Sequence, residues 1–211
     1  RPLILSQDSA NVGGFLEIKG RMRNTGYLSA PAAVKINFYL SKDDFADDND
    51  ELLGQFETTD PLVAGDSVAF AKVVTLPATT GNYKIIAVAN PGNKINELVY
   101  TNNYSVPVPF LILPAYVATA IVDKEFFMPG SIIPVHGAAY RSANQPAPNV
   151  DVDVYVLNNG TRRELKTKTN DQGLFSVDFT PLANESGHYT VGACYPKQNL
   201  SINQDAFDIL G

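Results

Sequence analysis

The sequence predicts an all-β chain folded as two antiparallel β-sandwiches in tandem. Three observations carry this. Helical periodicity is almost absent, whereas alternation of apolar and polar residues with a period of two recurs along the chain. The length, 211 residues, is generous for one compact domain and comfortable for two of about 100 each. The third observation is internal. The run Gly81-Asn82-Tyr83-Lys84-Ile85-Ile86-Ala87-Val88-Ala89-Asn90-Pro91 returns, blurred, as Gly187-His188-Tyr189-Thr190-Val191-Gly192-Ala193-Cys194-Tyr195-Pro196. Each copy follows a loop rich in Pro, Ala, Thr and Asn, and each precedes a terminal apolar strand.

The strands follow from alternation. Leu16, Ile18 and Met22 share one face, with Glu17, Lys19, Arg21 and Arg23 on the other. Val34, Ile36, Phe38 and Leu40 alternate with Lys35, Asn37 and Tyr39. Tyr104, Val106, Val108 and Phe110 alternate with Ser105, Pro107 and Pro109, and proline cannot donate to a ladder, so this run reads as an edge strand. In the second half Val150, Val152, Val154 and Val156 alternate with Asp151, Asp153, Tyr155 and Leu157, and Phe175, Val177 and Phe179 with Ser176 and Asp178. Asn158-Asn159-Gly160 suits a turn that requires positive φ. The boundary falls near Leu113-Pro114-Ala115, giving domains 1–113 and 114–211; so short a linker, with proline in it, is expected to restrict swivel.

Composition limits the function classes. The formal charge is -6, and no Lys/Arg cluster offers the counterion release that nucleic acid binding needs. No apolar run reaches the roughly 18 residues of a membrane helix. Cys194 is the only cysteine, so no intrachain disulfide forms. With no signal peptide and with Arg1 in place of an initiator Met, the chain is expected to be a mature piece of a longer protein.

Three segments of residues 9–112 stand in a telling order: Gly14-Phe15-Leu16-Glu17-Ile18 running into Asn24-Thr25-Gly26; Phe38-Tyr39-Leu40-Ser41-Lys42-Asp43-Asp44 followed by Asp50-Glu51-Leu52-Leu53-Gly54; and Gly81-Asn82-Tyr83 through Asn93-Lys94-Ile95-Asn96-Glu97 to Thr101-Asn102-Asn103. Together they resemble the cell-adhesion-related domain found in bacteria, CARDB. The resemblance implies an immunoglobulin-like sandwich of about seven strands carried on large exported proteins. This chain departs from the family pattern at Asn90, where Asp is usual, and at Tyr100, where an acidic residue or Asn is usual. In the second half, Thr169-Asn170-Asp171-Gln172-Gly173-Leu174-Phe175 followed by Gly187-His188-Tyr189, with Phe127-Met128-Pro129-Gly130-Ser131 upstream, resembles prealbumin-like and macroglobulin-like extracellular sandwiches. That likeness implies a fold and no chemistry.

Candidate sites are few. The acidic run holding Asp43, Asp44, Asp47, Asp48, Asp50 and Glu51 offers oxygen ligands of the kind Ca²⁺ takes, though its spacing departs from the EF-hand loop. The competing reading is a solvated loop. His136 and His188 share the second domain without a spaced third metal ligand. Cys194 reads as a buried structural thiol. Tyr27, Tyr39, Tyr100, Tyr116, Tyr140 and Tyr155 are candidates for outward-facing rings able to pack against a glycan. No G-x-S-x-G elbow is present. The expected function is a non-catalytic adhesion module or spacer of an exported bacterial surface or secreted protein. Its partners would be neighbouring domains of the same polypeptide and surface proteins or glycans. The alternative is an accessory module, binding glycan or calcium, of an extracellular hydrolase.

Overall fold

The computed structural model describes residues 2–211; Arg1, the non-Met first residue noted above, lies outside them. The chain divides into two compact units that meet between Leu113 and Pro114. Each is an immunoglobulin-like β-sandwich, and the two are built to the same plan.

In the first unit the strands are β1 (Ile4–Leu5), β2 (Ser9–Asn11), β3 (Phe15–Arg23), β4 (Lys35–Ser41), β5 (Glu51–Glu57), β6 (Ser67–Thr75), β7 (Gly81–Ala89) and β8 (Val108–Leu113). They form a three-stranded sheet β1-β3-β6 and a five-stranded sheet β2-β8-β7-β4-β5. The second unit has β9 (Val117–Val122), β10 (Phe126–Phe127), β11 (Ile133–Tyr140), β12 (Asp151–Asn158), β13 (Thr161–Lys168), β14 (Leu174–Phe179), β15 (Gly187–Cys194) and β16 (Asp205–Ile209). Its sheets are β9-β11-β14 and β10-β16-β15-β12-β13. The order matches strand for strand. The near-repeat in the sequence is β7 and β15, the middle strand of the larger sheet in each unit. Each unit thus has eight strands where about seven were expected, because the entering segment is split between the two sheets. The second departure from an antiparallel plan is that the short strands β2 and β10 run parallel to the last strands, β8 and β16.

Alternation places the cores. Leu16, Ile18, Ile36, Phe38, Leu40, Ile85, Phe110 and Ile112 fill the first unit, and Phe70 lies between Phe38 and Phe56 with ring centroids 5.6 and 5.8 Å away. In the second, Val152, Val154, Val156, Phe175, Phe179, Tyr189 and Phe207 fill the space, with Tyr189 stacked on Phe207 at 5.2 Å. Each buried aromatic ring of this size hides on the order of 150–250 Å² from water, so these clusters dominate the energetics. Two glycines make room for rings. A Cβ on Gly20 would meet the Phe70 ring at 2.5 Å, and one on Gly137 would meet Thr119 O at 2.1 Å and the Phe175 ring at 2.2 Å. The Asn159-Gly160 turn closes the β12–β13 hairpin with φ of 47° and 80°, as its sequence demands.

The proline-bearing run behaves differently from its reading as an edge. The strand begins only at Val108, leaving Tyr104 and Val106 exposed, and β8 lies between β2 and β7. The two accounts meet at Pro109: β2 covers only Leu111 to Leu113, so the missing N–H at Pro109 falls where that side of β8 is bare.

In each unit the chain enters at one end and leaves at the other. β2 and β8 run the same way, as do β10 and β16, so the last strand carries the chain out at the end opposite its entry. Among the described residues, no helix is long and apolar enough to cross a membrane.

Candidate functional site

The end of the first unit farthest from Leu113 is formed by the loops 24–34, 58–66 and 90–107. Asn24 anchors the first two. Its amide donates to Leu28 O at 2.8 Å and Leu62 O at 2.9 Å, its Oδ1 accepts from Gly26 N at 2.9 Å, and its backbone carbonyl accepts from Gly65 N. Asn90 anchors the third. It sits at φ 48°, a conformation that Asn tolerates better than most residues. Its side chain closes a ring with Ile95, accepting from the backbone N–H at 3.0 Å and donating to the carbonyl at 2.8 Å. The same amide donates to Glu97 Oε1 at 2.6 Å, which also accepts from Asn103 at 2.9 Å. Tyr100 OH takes the Glu97 backbone N–H at 3.1 Å. The two positions that depart from the family pattern are thus absorbed into one hydrogen-bonded loop.

This polar frame holds apolar side chains out in water. Tyr27 and Leu98 are each 93% exposed and Leu28 83%, with Val63 and Val99 more than half exposed. Turn residues of this kind are ordinarily polar, and a grouped set of exposed apolar side chains marks an interaction surface more often than isolated ones do. Sequence reading singled out only Tyr27 and Tyr100 here. Leu28 and Leu98 carried a signal it passed over: an apolar residue two positions after a turn-forming residue, Gly26 or Asn96, outside any alternating run.

The acidic loop lies at the opposite end of the same unit, in the β4–β5 connection. Four of its carboxylates, Asp43, Asp44, Asp47 and Asp50, are engaged separately. Asp43 accepts from Phe45 N at 2.9 Å and from the Ser41 hydroxyl; Asp47 accepts from Asn49 N at 2.7 Å; Asp50 accepts from Asp47 N at 2.9 Å; Asp44 pairs with Lys84. The shallow depression beside them, of about 400 Å³, is lined by Lys42 as well as by Asp43, Asp47, Asp50 and Glu51. The structure does not bring Asp43, Asp44, Asp47, Asp48, Asp50 and Glu51 around one point. Among the described residues, no three His, Cys, Asp or Glu side chains gather as metal ligands.

The two histidines stay apart in their roles. His136 Nε2 meets Asp123 at 3.2 Å, and His188 Nδ1 meets its cross-strand partner Asp208 at 3.0 Å. Of the six tyrosines expected outward, Tyr116 and Tyr155 are buried, a correction with a clear cause. The segment 195–204 folds back over the outer face of β12 and β15. Tyr155 OH donates to Ile202 O at 2.7 Å, and Asp153 accepts from Lys197 N at 2.9 Å. The Arg162 guanidinium stacks 4.1 Å above the Tyr155 ring. Tyr116 OH bonds Asp151 O, and its ring lies 4.9 Å from that of Tyr195. Cys194 is buried under the same cover, 3.5 Å from Gln198 O. Burial pushes its thiol upward, partly opposed by Arg162, and this suppresses the thiolate a nucleophile would need.

Fold and surface together define a tandem module of immunoglobulin-like sandwiches. Residues 3–106, nearly all of the first unit, match the family model of CARDB, so the first unit is CARDB-like. Solved structures similar to the chain include a CARDB domain from Pyrococcus furiosus determined in complex with di-metal ions. It is 19% identical, covers 53% of this chain and 84% of that one, and has a TM-score of 0.41. The Yersinia pseudotuberculosis adhesin InvE is 14% identical over 99% of this chain and 58% of that one, with a TM-score of 0.42. The D0-D1 domain of intimin is 13% identical over 98% of this chain and 96% of that one, with a TM-score of 0.36. None of the curated proteins matches the chain in sequence.

Proposed function

We propose that this chain is a non-catalytic adhesion module of a larger exported protein, displayed at a bacterial surface or secreted, in which the sandwiches also act as spacers. The observation that carries the reading is the loop end of the first unit, where Asn24 and Asn90 hold Tyr27, Leu28 and Leu98 out in solvent. A rigid frame under an apolar tip suits binding, because little side-chain and loop ordering remains to oppose association. The entry and exit of the chain at opposite ends suits spacing. A nine-residue strand such as β3 spans about 30 Å, so each unit lengthens the path by roughly that amount. The CARDB match supports the same class of role.

The test uses beads coupled through the C-terminus of the chain and flowed over surfaces bearing glycans or matrix proteins. Retention of wild-type beads on one class of surface, lost with the paired change Leu28→Ser and Leu98→Ser, is the expected outcome. Retention that survives the paired change overturns the assignment of the tip. Retention on none of the surfaces removes adhesion and leaves spacing.

A further inference from the structure

Both units tie a strand of the entering segment to the last strand, side by side and in the same direction, by backbone pairing, and the second unit adds side chains. In the first unit the means is backbone. β2 pairs in parallel with β8, Ser9 opposite Leu111 and Asn11 opposite Leu113. The ladder is bracketed by Leu111 N donating to Asp8 O at 3.0 Å and Val12 N donating to Leu113 O at 2.9 Å. In the second unit β10 pairs in parallel with β16 in the same way, Phe126 opposite Asp208 and Phe127 opposite Ile209, and side chains add a further linkage from β9 to the last strand. Gln204, at the foot of β16, uses its whole amide. Its Oε1 accepts from Ala120 N of β9 at 2.8 Å and from Ala193 N of β15 at 2.9 Å. Its Nε2 donates to Ala118 O and Ala193 O, both at 3.0 Å. Asp205 then accepts from Val122 N at 2.8 Å. The partners advance along β9 as the donors and acceptors advance into β16, so the two strands are linked in parallel. The amide of Gln204 does what a peptide group would do if a strand lay between β9 and β15.

We propose that these two linkages are mechanical clamps, which set the resistance of each unit to tension along the chain. The proposal rests on the spacer part of the functional reading, in which the chain carries load. Tension pulls the first strand of a unit back toward its own start and the last strand forward toward its own end. For parallel strands these pulls are opposed along one axis, so the cross-links are loaded together. Had the strands been linked so that the pull was across them, the bonds would break singly. Resistance to force is governed by the unfolding rate rather than by equilibrium stability, so bonds on the loaded strands weigh more than bonds elsewhere in the same core.

The experiment holds the full chain by its two ends at constant force and records the dwell before each unfolding step. The longer step belongs to the first unit and the shorter to the second. Val12→Pro removes the N–H that bonds Leu113 O, and Gln204→Ala removes the two bonds by which Gln204 holds β9, leaving Asp205 on Val122 and the β10–β16 ladder in place. The comparison variants are Leu53→Ala on β5 and Val177→Ala on β14, partly buried residues packed on each core but outside the terminal strands. Val12→Pro is expected to speed the longer step roughly tenfold or more, and Gln204→Ala the shorter step likewise, as befits losing one or more bonds from the barrier. The comparison variants are chosen for similar loss in denaturant midpoint and are expected to change the rate under force far less. If they accelerate their steps as much as the clamp variants do, or if the clamp variants leave the rates alone, the proposal is overturned. Should Val12→Pro fail to fold, the Gln204→Ala comparison decides by itself. None of these outcomes alters the bead assay, where the adhesion reading stands or falls separately.

Discussion

Replacing Gln204 by Ala is expected to cost the second unit about 3 kcal/mol at equilibrium, an amount worked from its four hydrogen bonds. Each such bond contributes roughly 0.5–1.5 kcal/mol net, giving a span of about 2–6 kcal/mol for four. The side chain is only half-buried, so water will reach some of the abandoned groups, and the lower half of the span applies. For a unit of this size that is a fall in melting temperature on the order of 10–20 °C. Gln204→Glu should cost at least as much, since a carboxylate would face the carbonyls of Ala118 and Ala193 with nothing to donate. The assay is denaturant unfolding combined with amide exchange read at Ala120 and Ala193, whose N–H groups bond Gln204 and no longer would. An Ala variant within about 1 kcal/mol of wild type, with both amides still protected, would refute the claim that this amide completes the gap between β9 and β15.

Other expectations follow from the same geometry. Gly137→Ala should destabilise the second unit at the upper end of the ~1–3 kcal/mol range for overpacking, because the added carbon meets a backbone oxygen. Gly20→Ala should cost less, because a ring can swing aside; paired thermal melts check the order. Burial pushes Tyr116, Tyr155 and Tyr189 up from the ordinary phenol value of 10.0 and Cys194 up from 9.0. A folded-state value above the unfolded one contributes stability that is present at lower pH and lost as pH rises past the ordinary values. An alkaline titration should therefore unfold the second unit progressively above those values, and a second unit as stable well above pH 10 as at neutrality would contradict it. Cys194 should resist alkylation at neutral pH until the unit is unfolded, which a thiol reagent with and without denaturant will show. Calcium should leave the melting curve unchanged and give no saturable heat; a saturable heat abolished by Asp47→Asn and Asp50→Asn would show that the acidic loop rearranges to bind.

How far the fold could be read in advance depended on whether a residue's environment is set by its own strand. Val152, Val154 and Val156 were legible because alternation fixes the face, and the turn at Asn159 and Gly160 because two adjacent positive φ values call for those residues. Tyr155 and Asp153 were misread for the same reason. Alternation sends them outward, and only the segment 195–204, some forty residues later in the chain, makes that outer face an interior one. Gln204 carries no local signal at all. It sits in a polar stretch, Ser201 to Asp205, and its partners in β9 are more than eighty residues away. The tip of the first unit lies between these cases. The amide frame around Asn24 and Asn90 is what Asn-rich turns suggest, but which apolar side chains it would leave exposed depended on three loops meeting.

Two neighbours built to one strand order face a hazard while they fold: a strand of one could complete the sheet of the other. The danger is concrete here, since β8 sets Phe110 opposite Tyr83 and β16 sets Phe207 opposite Tyr189, nearly interchangeable pairs. The approach to each last strand differs where the strands themselves do not. β16 arrives behind Gln204, whose amide bonds Ala118, Ala120 and Ala193, whereas β8 arrives behind Pro107, which stands at the matching position and can make none of those bonds. A β8 docked beside β15 would therefore leave Ala118, Ala120 and Ala193 without the bonds that Gln204 makes, a cost that weighs against exchange of the halves.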